Sequence, residues 1–219
     1  MDGTDDPGYL HAPGTTNVVR SPDGTTTLTV WECLRRPLAS GLAVRVYGGP
    51  ESGSPAGGLD VRLSRAAQSS RIYWATWKLP SRSPNGAYDV TALVLRGSTA
   101  VDEFDGGFVV RRATRLRLDA GPEPARPGGR VTVRVRAAAA TATGSAWAPF
   151  AERHVKLYFD PEGSAPSRLV RTVATGAKGL ASTSFPARRG GTWVAKFGGT
   201  SEYFAPSTSN RDHVAFVRK

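Results

Sequence analysis

Apolar and polar residues alternate one by one in segment after segment of this 219-residue chain. Val131, Val133 and Val135 alternate with Thr132, Arg134 and Arg136. Val155, Leu157 and Phe159 alternate with Lys156 and Tyr158, and Trp193, Ala195 and Phe197 with Val194 and Lys196. A period of two places successive side chains on opposite faces of a strand, so each segment predicts a β-strand with one buried and one wet face. Pro127-Gly128-Gly129, Pro161-Glu162-Gly163 and Arg189-Gly190-Gly191 separate the segments with turn-forming residues. The longest helix-tolerant run, Ala137 to Ala140, is followed at once by Thr, Gly and Ser. Antiparallel sheets packed face to face are therefore expected, with no amphipathic helix.

The alternation divides into two sets. Residues 15–112 predict strands at Asn17–Arg20, Thr26–Leu34, Leu42–Tyr47, Leu59–Arg65, Ile72–Leu79, Tyr88–Leu95 and Phe104–Arg111. Pro22-Asp23-Gly24 and Pro84-Asn85-Gly86 serve as turns. Seven strands in about 95 residues is the strand count of an immunoglobulin or fibronectin type III sandwich. Residues 113–219 predict a second sandwich, joined at Arg111-Arg112-Ala113-Thr114 without a long linker. Residues 1–14 form an arm with Asp2, Asp5 and Asp6 and no Lys or Arg, expected to be mobile unless a partner orders it. The predicted class is all-β: two tandem immunoglobulin-like antiparallel sandwiches preceded by a flexible N-terminal arm.

The net charge of +11 is unevenly placed. Residues 113–219 hold 17 Lys+Arg against 7 Asp+Glu, whereas residues 1–112 hold 12 against 11. Arginine supplies 24 of the 29 basic residues, and with abundant Ala, Gly and Pro this points to a GC-rich genome, an actinobacterium being the obvious source. A single cysteine, Cys33, precludes an intrachain disulfide and is expected to be buried. No apolar run approaches the ~18 residues of a membrane span. The acidic opening carries no signal peptide and reads as a mature terminus with an added methionine.

Gly191-Thr192-Trp193-Val194-Ala195-Lys196-Phe197-Gly198-Gly199-Thr200, followed by Tyr203-Phe204-Ala205-Pro206-Ser207-Thr208-Ser209, resembles the end of the bacterial Ig-like repeats of secreted actinobacterial, Streptomyces-type, proteins. His154–Asp160, Val170-Arg171-Thr172-Val173 and Thr175-Gly176 are similar to the middle of such a repeat. In the first domain only Asn85-Gly86-Ala87-Tyr88-Asp89-Val90 is similar, to the segment that opens the penultimate strand. The resemblance covers the second domain well and the first loosely. It implies a non-enzymatic extracellular module for adhesion, display or spacing, and carries over no catalytic residue.

The residues give catalysis no support. His11, His154 and His213 lack metal-ligand spacing, and no nucleophile motif is present. Neither a catalytic residue, a cofactor nor a metal site is expected. Asp102-Glu103-Phe104-Asp105 is dense in carboxylates but lacks a calcium-loop pattern, and reads as a solvated hairpin.

Three features bear on binding. Ile72-Tyr73-Trp74-Ala75-Thr76-Trp77 is apolar on both parities, so one face has to meet water or a partner. Trp31, Tyr73 and Trp77 are the candidate anchors, since exposed aromatics favour protein interfaces. In the arm, Tyr9 and Leu10 are candidates for threading into a partner. Arg115, Arg117, Arg134 and Arg136 are expected to share one outer sheet face, either as a solvated surface or as a dock for an anionic partner.

The expected function is a non-catalytic secreted adaptor or structural subunit of an extracellular bacterial assembly, such as a toxin or adhesion particle, with a protein partner. One alternative is a cell-envelope module binding an anionic cell-wall polymer or carbohydrate; another is a β-sandwich enzyme inhibitor acting through a loop such as Gly48–Gly58. Nucleic acid is disfavoured because basic and aromatic residues do not interleave in a recognition motif.

Overall fold

The computed structural model describes residues 18–22, 27–53, 58–80, 82–201 and 203–217. The chain divides into two compact units, residues 1–111 with 142–145, and residues 112–141 with 146–219. Every regular element among the described residues is a strand.

The first unit contains β1 (Val18–Arg20), β2 (Thr27–Cys33), β3 (Leu42–Pro50), β4 (Leu59–Arg65), β5 (Ile72–Lys78), β6 (Gly86–Arg96) and β7 (Thr99–Arg112), whose last residue belongs to the second unit. Their hydrogen-bonded order is β1-β7-β6-β3-β4-β5-β2. β4 joins the two layers: its first part pairs with β3, whereas Ser64 and Arg65 pair with Trp74 and Tyr73 of β5. The layers then face each other, so that Trp77 of β5 meets Phe108 of β7 edge-on at 6.4 Å. Leu28, Val44, Val46, Leu63, Tyr88, Val94 and Val110 fill the space between them. Burying each such side chain contributes about 1.5–3 kcal/mol.

Tyr88, at the start of β6, fixes the corner of this sandwich. Its hydroxyl donates to the Pro84 carbonyl at 2.8 Å while its ring stacks on Phe108 at 4.8 Å. A tyrosine bonded back to the chain just before this strand is the tyrosine corner of immunoglobulin-like sandwiches. The turn residues Pro84-Asn85-Gly86 thus set both the reversal and the acceptor.

The second unit contains β8 (Thr114–Gly121), β9 (Arg130–Ala140), β10 (Trp147–Pro149), β11 (His154–Pro161), β12 (Arg168–Ala174), β13 (Leu180–Pro186), β14 (Gly191–Phe197), β15 (Ser207–Thr208) and β16 (Asp212–Val214). β9 pairs with β8 along one edge and with β13 and β10 along the other. The opposing sheet runs β12-β11-β14, with β15 and β16 both beyond β14. The alternating valines and aromatics of β9, β11 and β14 point between the sheets and form one core. This is the immunoglobulin-like arrangement again, with all described pairings inside its sheets antiparallel.

Among the described residues β8 forms a ladder only with β9; along its other edge the chain from Phe204 to Phe216 runs beside it, bridged to Arg112 and Ala125, and contacts β8 through side chains. Asn210 accepts from the Leu118 amide through Oδ1 and donates to the Leu118 carbonyl through Nδ2, both at 2.9 Å. Asp212 accepts from the Ala120 amide at 2.6 Å. The amide and carbonyl of Leu118 and the amide of Ala120 are thereby satisfied by side chains.

Candidate binding surfaces

In the first unit, register decides which aromatics face solvent. β2 pairs with β5 so that Leu28 opposes Trp77, Val30 opposes Ala75, and Glu32 opposes Tyr73. Directly paired residues share a face. The inward parity of β2 therefore carries Tyr73 and Trp77 inward, where both pack against the core. This corrects the expectation that they are exposed anchors. The other parity brings Trp31 opposite Trp74, which are 38% and 45% exposed. Trp31 is thus on the solvent face, with Trp74 rather than Trp77 beside it. Thr29 and Thr76 lie opposite each other one step along the same face, so a two-tryptophan platform sits beside polar groups. Cys33 shares this face and is half-buried rather than enclosed. Tyr9 and Leu10 lie outside the described residues, as does part of the Gly48–Gly58 loop.

Glu32 lies on the opposite, inner side of β2 from this platform. It is 1% exposed, and neither carboxylate oxygen has a hydrogen-bond partner. Burial raises its pKa from 4.5 to about 7, because the charged form loses its hydration without compensation. Sequence reasoning missed it, although its parity with Leu28 and Val30 was a usable signal.

In the second unit, Arg115, Arg117, Arg134 and Arg136 are all exposed on the outer face of β8 and β9. Their surroundings differ. Arg134 opposes Asp119 and bonds to it at 3.3 Å. The Arg115 guanidinium lies 4.3 Å over the Trp147 ring, a cation–π contact. Arg117 and Arg136 oppose each other directly. Like charges in paired positions are mutually unfavourable. With Leu180 and Asn210 they line a groove of about 810 Å³.

His154 and His213 lie on different strands, β11 and β16, and His11 lies outside the described residues. His154 is exposed at the start of β11, and His213 in β16 lies 3.0 Å from a Glu162 oxygen. Among the described residues no three His, Cys, Asp or Glu side chains are grouped to hold a metal ion. The carboxylates at 102–105 lie along β7, where Asp105 accepts from the Thr91 hydroxyl at 2.8 Å. No helix among the described residues is long and apolar enough to cross a membrane.

No family model matches the chain, and no curated protein matches it in sequence. Solved structures align along most of its length. Salmonella alpha-2-macroglobulin reacted with methylamine is 15% identical with a TM-score of 0.42; the alignment covers 99% of this chain and 16% of that one. A two-domain fibronectin type III segment from chicken tenascin is 12% identical, covers 94% and 97%, and has a TM-score of 0.40. A putative membrane-anchored protein from Corynebacterium diphtheriae is 12% identical, covers 96% and 53%, and has a TM-score of 0.37. This chain thus spans about a sixth of the alpha-2-macroglobulin's length. At such values these likenesses assign no activity or partner. The strand order itself defines the class: an all-β protein of two immunoglobulin-like sandwiches.

Proposed function

We propose that the chain is a non-catalytic, extracellular binding protein, an adaptor or structural subunit of a bacterial surface or secreted assembly, and that its first sandwich docks on a protein partner. The observation that carries this reading is the Trp31–Trp74 platform, two large aromatics left on the outer face of a sheet whose inner face is already filled. Rigid aromatics bordered by polar residues are the anatomy of an interface hot spot. The extracellular setting rests on the resemblance of the second domain to secreted bacterial repeats. Cross-linking in culture medium of the producing organism, followed by mass spectrometry, tests the proposal by comparing wild type with Trp31→Ala/Trp74→Ala. A stoichiometric protein adduct lost only in the variant is expected. Identical adducts from both chains refute the docking role of the platform.

A second reading is favoured by the opposed Arg117 and Arg136. An anionic cell-wall polymer lying along the groove would relieve their repulsion. Purified cell walls should then sediment the wild type in a salt-dependent way but not Arg117→Glu/Arg136→Glu. Equal sedimentation of both removes this reading.

A further inference from the structure

Register sets like charges opposite each other in both units. In the first, Arg45 of β3 opposes Arg62 of β4, and Asp60 holds Arg45 through its Nε and Nη2. A carboxylate within the fold thus offsets that pair. In the second unit two such pairs carry no counter-charge. Arg117 of β8 opposes Arg136 of β9, and Lys156 of β11 opposes Lys196 of β14. All four side chains are exposed, and among the described residues none of them is in an ion pair. Thr172 of β12 and Thr208 of β15 extend the lysine pair into a row of exposed side chains across the sheet, in the order Thr172, Lys156, Lys196, Thr208. The Lys196 ammonium lies 4.9 Å over the Tyr158 ring, which steadies one charge and cancels neither.

β8 and β9 belong to one sheet, β11 and β14 to the other. Packed sheets lie about 10 Å apart, and their outward side chains point away from each other. One anionic group therefore cannot touch both pairs, and each is a separate place where negative charge relieves repulsion.

We propose that the second sandwich cross-links two chains of an anionic cell-wall polymer, one in the Arg117–Arg136 groove and one along the Lys156–Lys196 row. The proposal rests on the polymer reading of the groove and adds a second site to it. The groove, lined by Arg117, Arg134 and Arg136, holds its chain more tightly. The lysine row takes a second chain once the first has brought the protein among polymer, where the local concentration of anions is high.

The test adds the full chain to short, labelled poly(glycerol phosphate) at low salt. Fluorescence anisotropy reads binding, and light scattering reads bridging. The wild type should bind and raise scattering about tenfold or more, with a fall when excess protein saturates every chain. Lys156→Glu/Lys196→Glu should bind within about threefold of the wild type yet scatter no more than polymer alone. Arg117→Glu/Arg136→Glu should lose both signals. Arg188→Glu/Arg189→Glu changes exposed residues between β13 and β14 and alters the net charge equally, and it should behave as the wild type. Scattering retained by the lysine variant overturns the second site. Scattering lost equally in the Arg188/Arg189 variant assigns it to bulk charge and overturns the proposal as well. Wild-type binding without scattering refutes cross-linking and spares the groove, whereas no binding removes both. Stronger bridging of single-stranded DNA than of poly(glycerol phosphate) at equal phosphate would give these faces to nucleic acid instead.

Discussion

Replacing Glu32 with glutamine should flatten the pH dependence of the first sandwich. The unfolded carboxyl titrates near 4.5 and the folded one at about 7. Below pH 4.5 both states are protonated and the residue costs the fold nothing through charge. As pH rises through this window the unfolded state gives up its proton first, so the folded state holds more protons and loses stability. The loss is complete about one unit above pH 7. Its size follows from about 1.4 kcal/mol per pH unit, or about 3 kcal/mol in all. Burial is the sole cause of the shift, which suits the orphaned oxygens. For a domain of this size that corresponds to a melting shift of about 12 °C or more. Calorimetry of the full chain and of Glu32→Gln from pH 4.5 to 8.5 measures it. One transition should fall with pH in the wild type and hold steadier in the variant, the two converging at the acid end. Parallel curves across the range would show that the carboxylate ionises without penalty, and would refute the burial argument.

Three other substitutions probe the joints of the fold. Gly179 has φ of 70°, and a Cβ there would press on the Ala137 carbonyl and the Phe150 amide; Gly179→Ala should destabilise the second sandwich by more than about 1 kcal/mol in urea unfolding. Thr175 donates to the Phe150 carbonyl at 2.6 Å and accepts from the Arg153 amide at 3.0 Å, so Thr175→Val should cost about 1–3 kcal/mol in the same assay. Tyr88→Phe removes the bond to Pro84 but keeps the ring, and should lower the first melting transition by an amount equivalent to about 1 kcal/mol.

The second sandwich is the more legible of the two in sequence. Val131, Val133 and Val135 alternate with polar residues, so one face declares itself as core before any partner strand is known. In β5 the signal fails, because Ile72, Tyr73, Trp74, Ala75 and Trp77 put apolar groups on both parities. Only pairing with β2 settles the matter, and pairing is a long-range property. The same holds for the four arginines: their shared outer face follows from parity, but the Asp119 pairing that neutralises Arg134 and leaves Arg117 against Arg136 needs the register. The contact of Trp193 with Phe159 and Phe185 is illegible for a related reason: the three rings come from strands in both sheets, and no local pattern announces which strands face each other.

The amide side chain of Asn210 and the carboxylate of Asp212, occupying the main chain of Leu118 and Ala120, have a consequence for life in a crowd. A sheet rim that already holds its own stopper offers no template to a stranger's strand. Copies packed shoulder to shoulder in an array would be kept from zipping together along β8. What a neighbour meets instead is side-chain chemistry, which selects its associates where bare backbone does not.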